Sequence, residues 1–268
     1  MTEQATENSI IIVTIDDNGI ARVTLNQPDI HNAFDEVLIA DLTSAILELD
    51  NNPSVKVLML DAKGKSFSAG ANLNWMRKMA DYSKQENYQD SILLANLMSA
   101  LFTMKCPTIA LVQGAAFGGG VGLVACCDIA IASEKASFCL SEVKLGLIPA
   151  VISPYVVKAI GERAAKRYFV TAERFKAERA AEIGLVSEVV AAEELEKKAL
   201  ALAKIITSNS NAAVINAKKI INDVVNKPIT EEIRLMTADR IATIRASAVG
   251  KEGVSAFLEK RQPNWDQE

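Results

Sequence analysis

The chain has 268 residues, half of them apolar, and a formal net charge of −4. It can bury a substantial core, and it carries no basic excess for nucleic acid or an anionic membrane. No apolar run approaches the ~20 residues that span a bilayer, and Met1-Thr2-Glu3-Gln4 has no basic leader, so the expectation is a cytoplasmic protein.

In chain order, Ile10 to Ile15 and Ile20 to Leu25 are β-branched runs joined by Asp16-Asp17-Asn18-Gly19, a strong hairpin signal. After Asn26-Gln27-Pro28, the spacing of Leu38, Leu42, Ala45, Ile46 and Leu49 predicts a helix, and Pro53 leads into a strand from Val55 to Leu60. A second cycle predicts a helix over Tyr88 to Leu101 and a strand over Pro107 to Val112. A Gly-rich turn, a helix over Val121 to Cys126 and a strand over Asp128 to Ser133 follow, with Ala136 to Cys139 as a further short strand. A third runs through helices near Pro154 to Tyr168 and Lys176 to Glu182 to a strand over Leu185 to Val190. From there the pattern is helical: Glu193 to Ile206, Asn211 to Val225, and Thr230 to Val249 with Thr230 as N-cap. The division expected is a βα core over 1–192 and a helical region over 193–268. The Ala- and Ile-rich faces of that region need either the core or a neighbouring subunit to cover them.

Several chemistries are excluded by what the chain lacks. Cys106, Cys126, Cys127 and Cys139 show no CxxC spacing, and His31 is the one histidine, so neither a zinc site nor a disulfide framework is expected. No Gly-x-Ser-x-Gly elbow accompanies His31, which disfavours a Ser–His–Asp hydrolase. Ser141-Glu142-Val143-Lys144 matches Ser-x-x-Lys but lacks the companion motifs of that chemistry. Gly114-Ala115-Ala116-Phe117-Gly118-Gly119-Gly120 is neither a dinucleotide fingerprint nor a P-loop. Taken alone it reads equally as a tight turn where glycine relieves crowding.

Context favours more. Phe67-Ser68-Ala69-Gly70-Ala71 and the Gly118-Gly119-Gly120 run are small-residue loops beside apolar strands, where bare N–H groups can approach a ligand oxygen. The second loop opens a helix, whose positive end suits a developing enolate. Glu142, ahead of Gly146-Leu147-Ile148-Pro149, supplies a carboxylate for proton transfer.

These segments, with Cys127-Asp128-Ile129-Ala130 and Ser141-Glu142-Val143 before Leu145-Gly146, resemble the enoyl-CoA hydratase/isomerase (crotonase) family. The likeness extends from Leu25-Asn26-Gln27-Pro28 and His31-Asn32-Ala33 to Phe257-Leu258-Glu259-Lys260-Arg261. It implies an α/β spiral of repeated ββα units with a C-terminal helical trimerisation region, assembled as a trimer or dimer of trimers. It also implies an acyl-CoA thioester substrate and no metal or redox cofactor, coenzyme A being part of the substrate. Carried over by position, the oxyanion hole falls on the N–H groups of Ala71 and Gly119. Glu142 is the catalytic acid/base, and the coenzyme A moiety is placed along Ile30, His31, Ala33, Ala69, Asn72, Leu73 and Gly118.

The chain also departs from that pattern. Hydratases of the family usually carry a second glutamate where this sequence has Gly122, an aspartate where it has Asn72, and a glycine where it has Ala150. One reading is an isomerase in which Glu142 alone moves a proton between two carbons. Another is a non-catalytic acyl-CoA or RNA-binding member, which the acidic balance and intact Glu142 oppose. The favoured reading is a hydratase, because Phe67 to Arg77, Cys139 to Val143 and Leu147 to Pro154 are similar to a bacterial subgroup. That subgroup comprises methylglutaconyl-CoA and isohexenylglutaconyl-CoA hydratases and likewise lacks the first glutamate. Its substrates carry a distal carboxylate, for which Arg77 is the favoured cation over Lys78 and Lys144. Trp75 is expected in the core or the pocket wall.

Overall fold

Asp16 makes the first turn by accepting from the N–H groups of Asn18 and Ile20 through Oδ1, at 2.9 and 2.8 Å. Strands β1 (Ile11–Ile15) and β2 (Ile20–Leu25) consequently pair antiparallel, with Ile15 opposite Ala21. The computed structural model describes residues 9–265, so the Met1-Thr2-Glu3-Gln4 segment and the last three residues lie outside the described part.

The strands form two sheets. The larger continues from β2 through β3 (Val57–Ala62), β5 (Thr108–Val112), β7 (Ile129–Ser133) and β10 (Glu188–Val190), all parallel to one another. The smaller contains β4 (Ser66–Ser68), β6 (Ala115–Phe117) and β8 (Ser137–Cys139) in parallel, with β9 (Phe175–Lys176) antiparallel at its edge. Each turn of the chain lays one strand in the large sheet, then one in the small sheet, then helix. Thus β3 and β4 precede α2 (Leu73–Ala80) and α3 (Lys84–Thr103), β5 and β6 precede α4 (Gly119–Cys126), and β7 and β8 precede α5 (Ser153–Thr171). This is the ββα spiral expected from the resemblance.

Burial explains the layering. Along β3, Leu58 and Leu60 face the main core, while Val57 and Met59 face a second cluster with Leu195, Ala199 and Ala203 of α7 (Leu195–Thr207). A strand covered on both faces reads as an unbroken apolar run, as Val57 to Leu60 does. Helix α1 (Glu36–Asn51) is capped by Asp35, which accepts from Leu38 N–H, and buries Leu38, Ile39, Leu42, Ala45, Ile46 and Leu49. Each such side chain contributes about 1.5–3 kcal/mol of transfer free energy. The short α6 (Ala177–Glu182) links β9 to β10. By contrast α8 (Asn211–Val224) and α9 (Glu231–Ala246) bury no residue. Together with α10 (Ala248–Glu259) they expose Ile221, Leu235, Ile241, Phe257 and Leu258.

The structure corrects three expectations. The Gly-rich turn contains strand β6, because Ala115, Ala116 and Phe117 pair with Ser137, Phe138 and Cys139. The helix expected over Thr230 to Val249 ends at Ala246: Ser247 is extended and caps α10 by accepting from Gly250 N–H. Strand β10 starts at Glu188 and not at Leu185, because Leu185 N–H closes a helix-end turn on Ala180 O at 2.9 Å. Helix α2 is a further difference from the sequence reading; it is only eight residues long and buries Trp75 alone. Among the described residues no helix is long and apolar enough to cross a membrane.

Candidate active site

Parallel strands bring their carboxyl ends to one edge, which is where α/β sheets present ligand-binding loops. At that edge β4 runs into Ala69-Gly70-Ala71, β6 into Gly118-Gly119, and β8 into Leu140-Ser141-Glu142. The three elements singled out from the sequence are therefore neighbours because β4, β6 and β8 are adjacent.

Phe34 fixes the first loop: its N–H donates to Gly70 O and its carbonyl accepts from Asn72 N–H, both at 2.7 Å. In extended backbone successive amides alternate in direction, so the N–H of Ala71, between these two, points away from Phe34. Gly70 is left-handed (φ +85°), and a Cβ there would lie 3.1 Å from Phe117 O, so the first two loops touch. In the second loop, Gly118 (φ +48°) gives its own N–H to Cys139 O at 2.9 Å. Gly119 then opens α4, where first-turn N–H groups have no acceptor within the helix.

Glu142 begins a 3-10 turn (Glu142–Leu145) and is half-buried. Its Oε1 would be 3.2 Å from a Cβ on Gly118, so any side chain at 118 would press on the carboxylate. Its Oε2 is buried with no hydrogen-bond partner among the described residues. Burial pushes the carboxyl's pKa up from 4.5, opposed only by its own backbone N–H. An unpaired carboxylate held at two loops with N–H groups is an arrangement for moving protons next to a developing oxyanion.

The enoyl-CoA hydratase/isomerase family model matches residues 16–268. The chain belongs to this family. Two crystal structures illustrate how near the relatives are. A Legionella pneumophila chain, described by family as an enoyl-CoA hydratase/isomerase (crotonase), is 49% identical with a TM-score of 0.93, covering 96% of this chain and 99% of its own. A Shewanella pealeana enoyl-CoA hydratase is 47% identical with a TM-score of 0.92, covering 96% of each. A mitochondrial enoyl-CoA hydratase of Pongo abelii is 33% identical over 92% of this chain and 84% of its own length.

Within this family member, the positions expected along coenzyme A border the first loop. Ile30, His31, Ala69 and Leu73 are exposed, Asn72 is half-exposed, and Ala33 and Gly118 are nearly buried. Asn72 acts locally, capping α2 by accepting from Asn74 N–H at 2.8 Å. Gly122 lies in the interior of α4, where a Cβ would collide with Ile152 and lie 3.0 Å from Met98 Cε. Ala150 is exposed.

Of the cations, Arg77 is exposed and donates to Asn74 Oδ1 at 2.6 Å, a neutral partner. Lys78 and Lys144 are both exposed, and Lys78 is paired with Glu36 at 2.5 Å. Trp75 is core, with its indole N–H donating to Asp90 at 3.1 Å. The four cysteines are free thiols, and burial pushes Cys106 and Cys127 up to about 12. Burial raises the other two thiols as well, which disfavours the thiolate in all four. Among the described residues no group of three or more His, Cys, Asp or Glu is placed to hold a metal ion.

The scaffold behind the loops was not singled out from the sequence. Asn32, fully buried and left-handed (φ 51°), donates to Lys63 O and Ser66 O at 2.9 Å and accepts from Gln27 N–H at 2.8 Å. Ser68 Oγ donates to Asn32 O at 2.8 Å, and Ala69 N–H donates to His31 O at 2.9 Å. His31 Nδ1 and Ser66 Oγ share a 3.1 Å hydrogen bond. The available signal was Asn in a Pro-initiated turn, since Asn tolerates the left-handed region and bonds nearby backbone.

Proposed function

We propose that this enzyme adds water across the conjugated double bond of 3-methylglutaconyl-CoA, giving 3-hydroxy-3-methylglutaryl-CoA. Membership of the family supports the coarser statement, an acyl-CoA enzyme of enoyl-CoA hydratase type. The observation that carries the mechanism is Glu142, whose Oε2 is buried without a partner while Oε1 lies against Gly118.

In this reading the thioester oxygen accepts from the N–H groups of Ala71 and Gly119. Glu142 takes a proton from water as the water oxygen bonds to C3. The π electrons move to C2 and onto the held oxygen as an enolate, and the same carboxyl then returns the proton to C2. Each oxyanion donor is worth about 3 kcal/mol in such chemistry. A carboxyl whose proton affinity is raised by burial suits both halves of this exchange. The coenzyme A moiety runs past Ile30, His31, Ala33, Ala69, Asn72 and Leu73, and the reaction draws on no metal or redox cofactor. Arg77, whose neutral partner leaves its charge uncompensated, meets the distal carboxylate. The apolar side chains left exposed on α8, α9 and α10 are covered by further copies of the chain, as a trimer or dimer of trimers.

One observation favours a second reading. Gly122 contributes no carboxylate, and a lone Glu142 is sufficient for Δ3,Δ2-enoyl-CoA isomerisation. Incubation in H₂¹⁸O with 3-methylglutaconyl-CoA and with a straight-chain 3-enoyl-CoA, followed by mass spectrometry, separates the two. Labelled 3-hydroxy-3-methylglutaryl-CoA from the first substrate is the expected result. An unlabelled 2-enoyl product from the second, with the first untouched, overturns the hydratase reading.

A further inference from the structure

The small sheet runs β4, β6, β8, β9, and its carboxyl edge carries the site in that order. Ala71 follows β4, Gly119 follows β6 and Glu142 follows β8. Strand β9 is antiparallel to β8, so its start and not its end lies at this edge. The residue that stands there is Arg174, and continuing the register of Phe138 with Phe175 sets it opposite Cys139. Cys139 in turn pairs with Phe117 on β6. Residues directly opposite one another share a face of a sheet, so Phe117, Cys139 and Arg174 form one row along this edge.

Arg174 reaches across this row: its guanidinium carbon lies 4.7 Å from the centroid of the Phe117 ring. Phe117 is the residue before Gly118, against which the Glu142 carboxylate stands. Burial raises the pKa of the Cys139 thiol, and the charges that act on it are those of this edge: Lys144 and Arg174 lower it and Glu142 raises it. The Arg174 guanidinium nevertheless has no carboxylate of its own. Its neighbour Glu173 is held by Arg167 at 2.5 and 3.0 Å, and Arg179 is paired with Glu182 at 2.8 Å. Among the described residues no ion pair or side-chain hydrogen bond engages Arg174. A guanidinium stacked on a ring is occupied on its face and free at its edge, where its N–H groups point.

We infer, on the reading of this edge as an acyl-CoA site, that Arg174 is a specificity-determining residue that holds an anionic group at the free end of the acyl chain. The order of the strands carries this. Coenzyme A at the β4 loop and a thioester oxygen between Ala71 and Gly119 direct the acyl carbons past Glu142 toward β9, one strand spacing of about 4.8 Å beyond β8. The distal carboxylate of 3-methylglutaconyl-CoA lies two bonds beyond the carbon that accepts water, and the long arginine side chain spans the remainder. Arg174 then joins Arg77 as a second cation for that carboxylate, with the Phe117 stack fixing its fork before the substrate arrives.

The test uses the full-length protein and the variants Arg174→Gln and Arg174→Lys, both of which should fold because the side chain is exposed. Isothermal calorimetry measures dissociation constants for glutaryl-CoA, hexanoyl-CoA and free coenzyme A. Arg174→Gln should weaken glutaryl-CoA roughly tenfold, the worth of one charge-assisted hydrogen bond, and change hexanoyl-CoA and coenzyme A less than about twofold. Arg174→Lys keeps the charge without the fork and should weaken glutaryl-CoA about threefold. A merely structural role would not move the ratio between the two thioesters, which share everything but the end of the acyl chain.

Equal losses on glutaryl-CoA and hexanoyl-CoA overturn the inference, and a matching loss on free coenzyme A assigns Arg174 to its phosphates instead. Unchanged affinities for all three reduce Arg174 to a packing partner of Phe117. A wild type that binds hexanoyl-CoA but not glutaryl-CoA overturns the anionic end group and leaves the acyl-CoA reading standing. A wild type that binds neither thioester overturns that reading itself, and the role with it.

Discussion

Two half-buried carboxylates, one on a strand of the large sheet and one just past the end of the small sheet, differ in whether a cation meets them. Asp61 sits on β3 in the large sheet, where Arg22 of β2 reaches it at 2.8 Å and also grips Glu196 of α7. Burial raises the Asp61 carboxyl even though the Thr24 hydroxyl and the Arg22 guanidinium pull it down, and its Oδ1, like Glu142 Oε2, is buried with no hydrogen-bond partner among the described residues. Glu142, at the edge of the small sheet, is pushed up by the same physics and has only its own backbone N–H in opposition. The large sheet pairs its carboxylate with a cation, since an unpaired buried charge weakens the fold, whereas Glu142 stands without one at the place where the proposed reaction moves a proton.

The sharpest way to break this contrast is to neutralise each carboxyl isosterically. Glu142→Gln should lower hydration by at least ~100-fold, the usual worth of a positioned acid or base, in steady-state kinetics. Its melting temperature should hold or rise, because a buried charge has gone. A Glu142→Gln protein keeping more than about a tenth of the activity would remove this residue from the chemistry. The scaffold should respond the other way. Asn32→Ala strips three hydrogen bonds from a fully buried turn and should cost about 2–3 kcal/mol in denaturant unfolding. Asp61→Asn weakens the Arg22 ion pair and should cost about 1–2 kcal/mol while kcat changes little. If Asp61→Asn costs activity and not stability, the division of labour between the sheets is wrong.

Arg77→Ala offers a finer cut. It should lower kcat/KM for 3-methylglutaconyl-CoA roughly tenfold, the worth of one charge-assisted hydrogen bond, and leave an uncharged enoyl-CoA unaffected. Equal losses on both substrates would make Arg77 a surface charge.

The same contrast explains what the sequence could and could not reveal. The large sheet was legible because Val57 to Leu60 and Ile129 to Ala132 are apolar runs, and because Ile20 to Leu25 is a largely buried run that follows an Asn-Gly turn. Strands β4 and β6 were not, being three residues long and rich in Ser and Ala, although they carry the two loops. Glu142, Ala71 and Gly119 were reachable through the family likeness, since backbone donors leave no chemical signature in a sequence beyond small residues. Asn32 acts through hydrogen bonds to backbone more than 30 residues away, which no local spacing announces. The break at Ser247 was hidden because one apolar periodicity continues on both sides of it.

The smallest expected effect concerns pH, where activity and stability should move in opposite directions. A carboxyl whose folded pKa is raised binds its proton more tightly in the native state, so the cost of burying its charge is fully present above that folded pKa. For Glu142 that cost is relieved as pH falls through a point above 4.5. Lowering the pH from neutral toward that point should therefore ease the Glu142 contribution to instability while protonating the base that activates water. Activity should fall on an acid limb that lies above the ordinary carboxylate range, and the wild type's stability deficit against Glu142→Gln should narrow over the same interval. Parallel pH titrations of kcat/KM and of the melting temperature in wild type and Glu142→Gln measure both. If the acid limb sits at or below 4.5, or if the stability difference does not change with pH, the Glu142 carboxylate is solvated in the working enzyme and its burial plays no part in the chemistry.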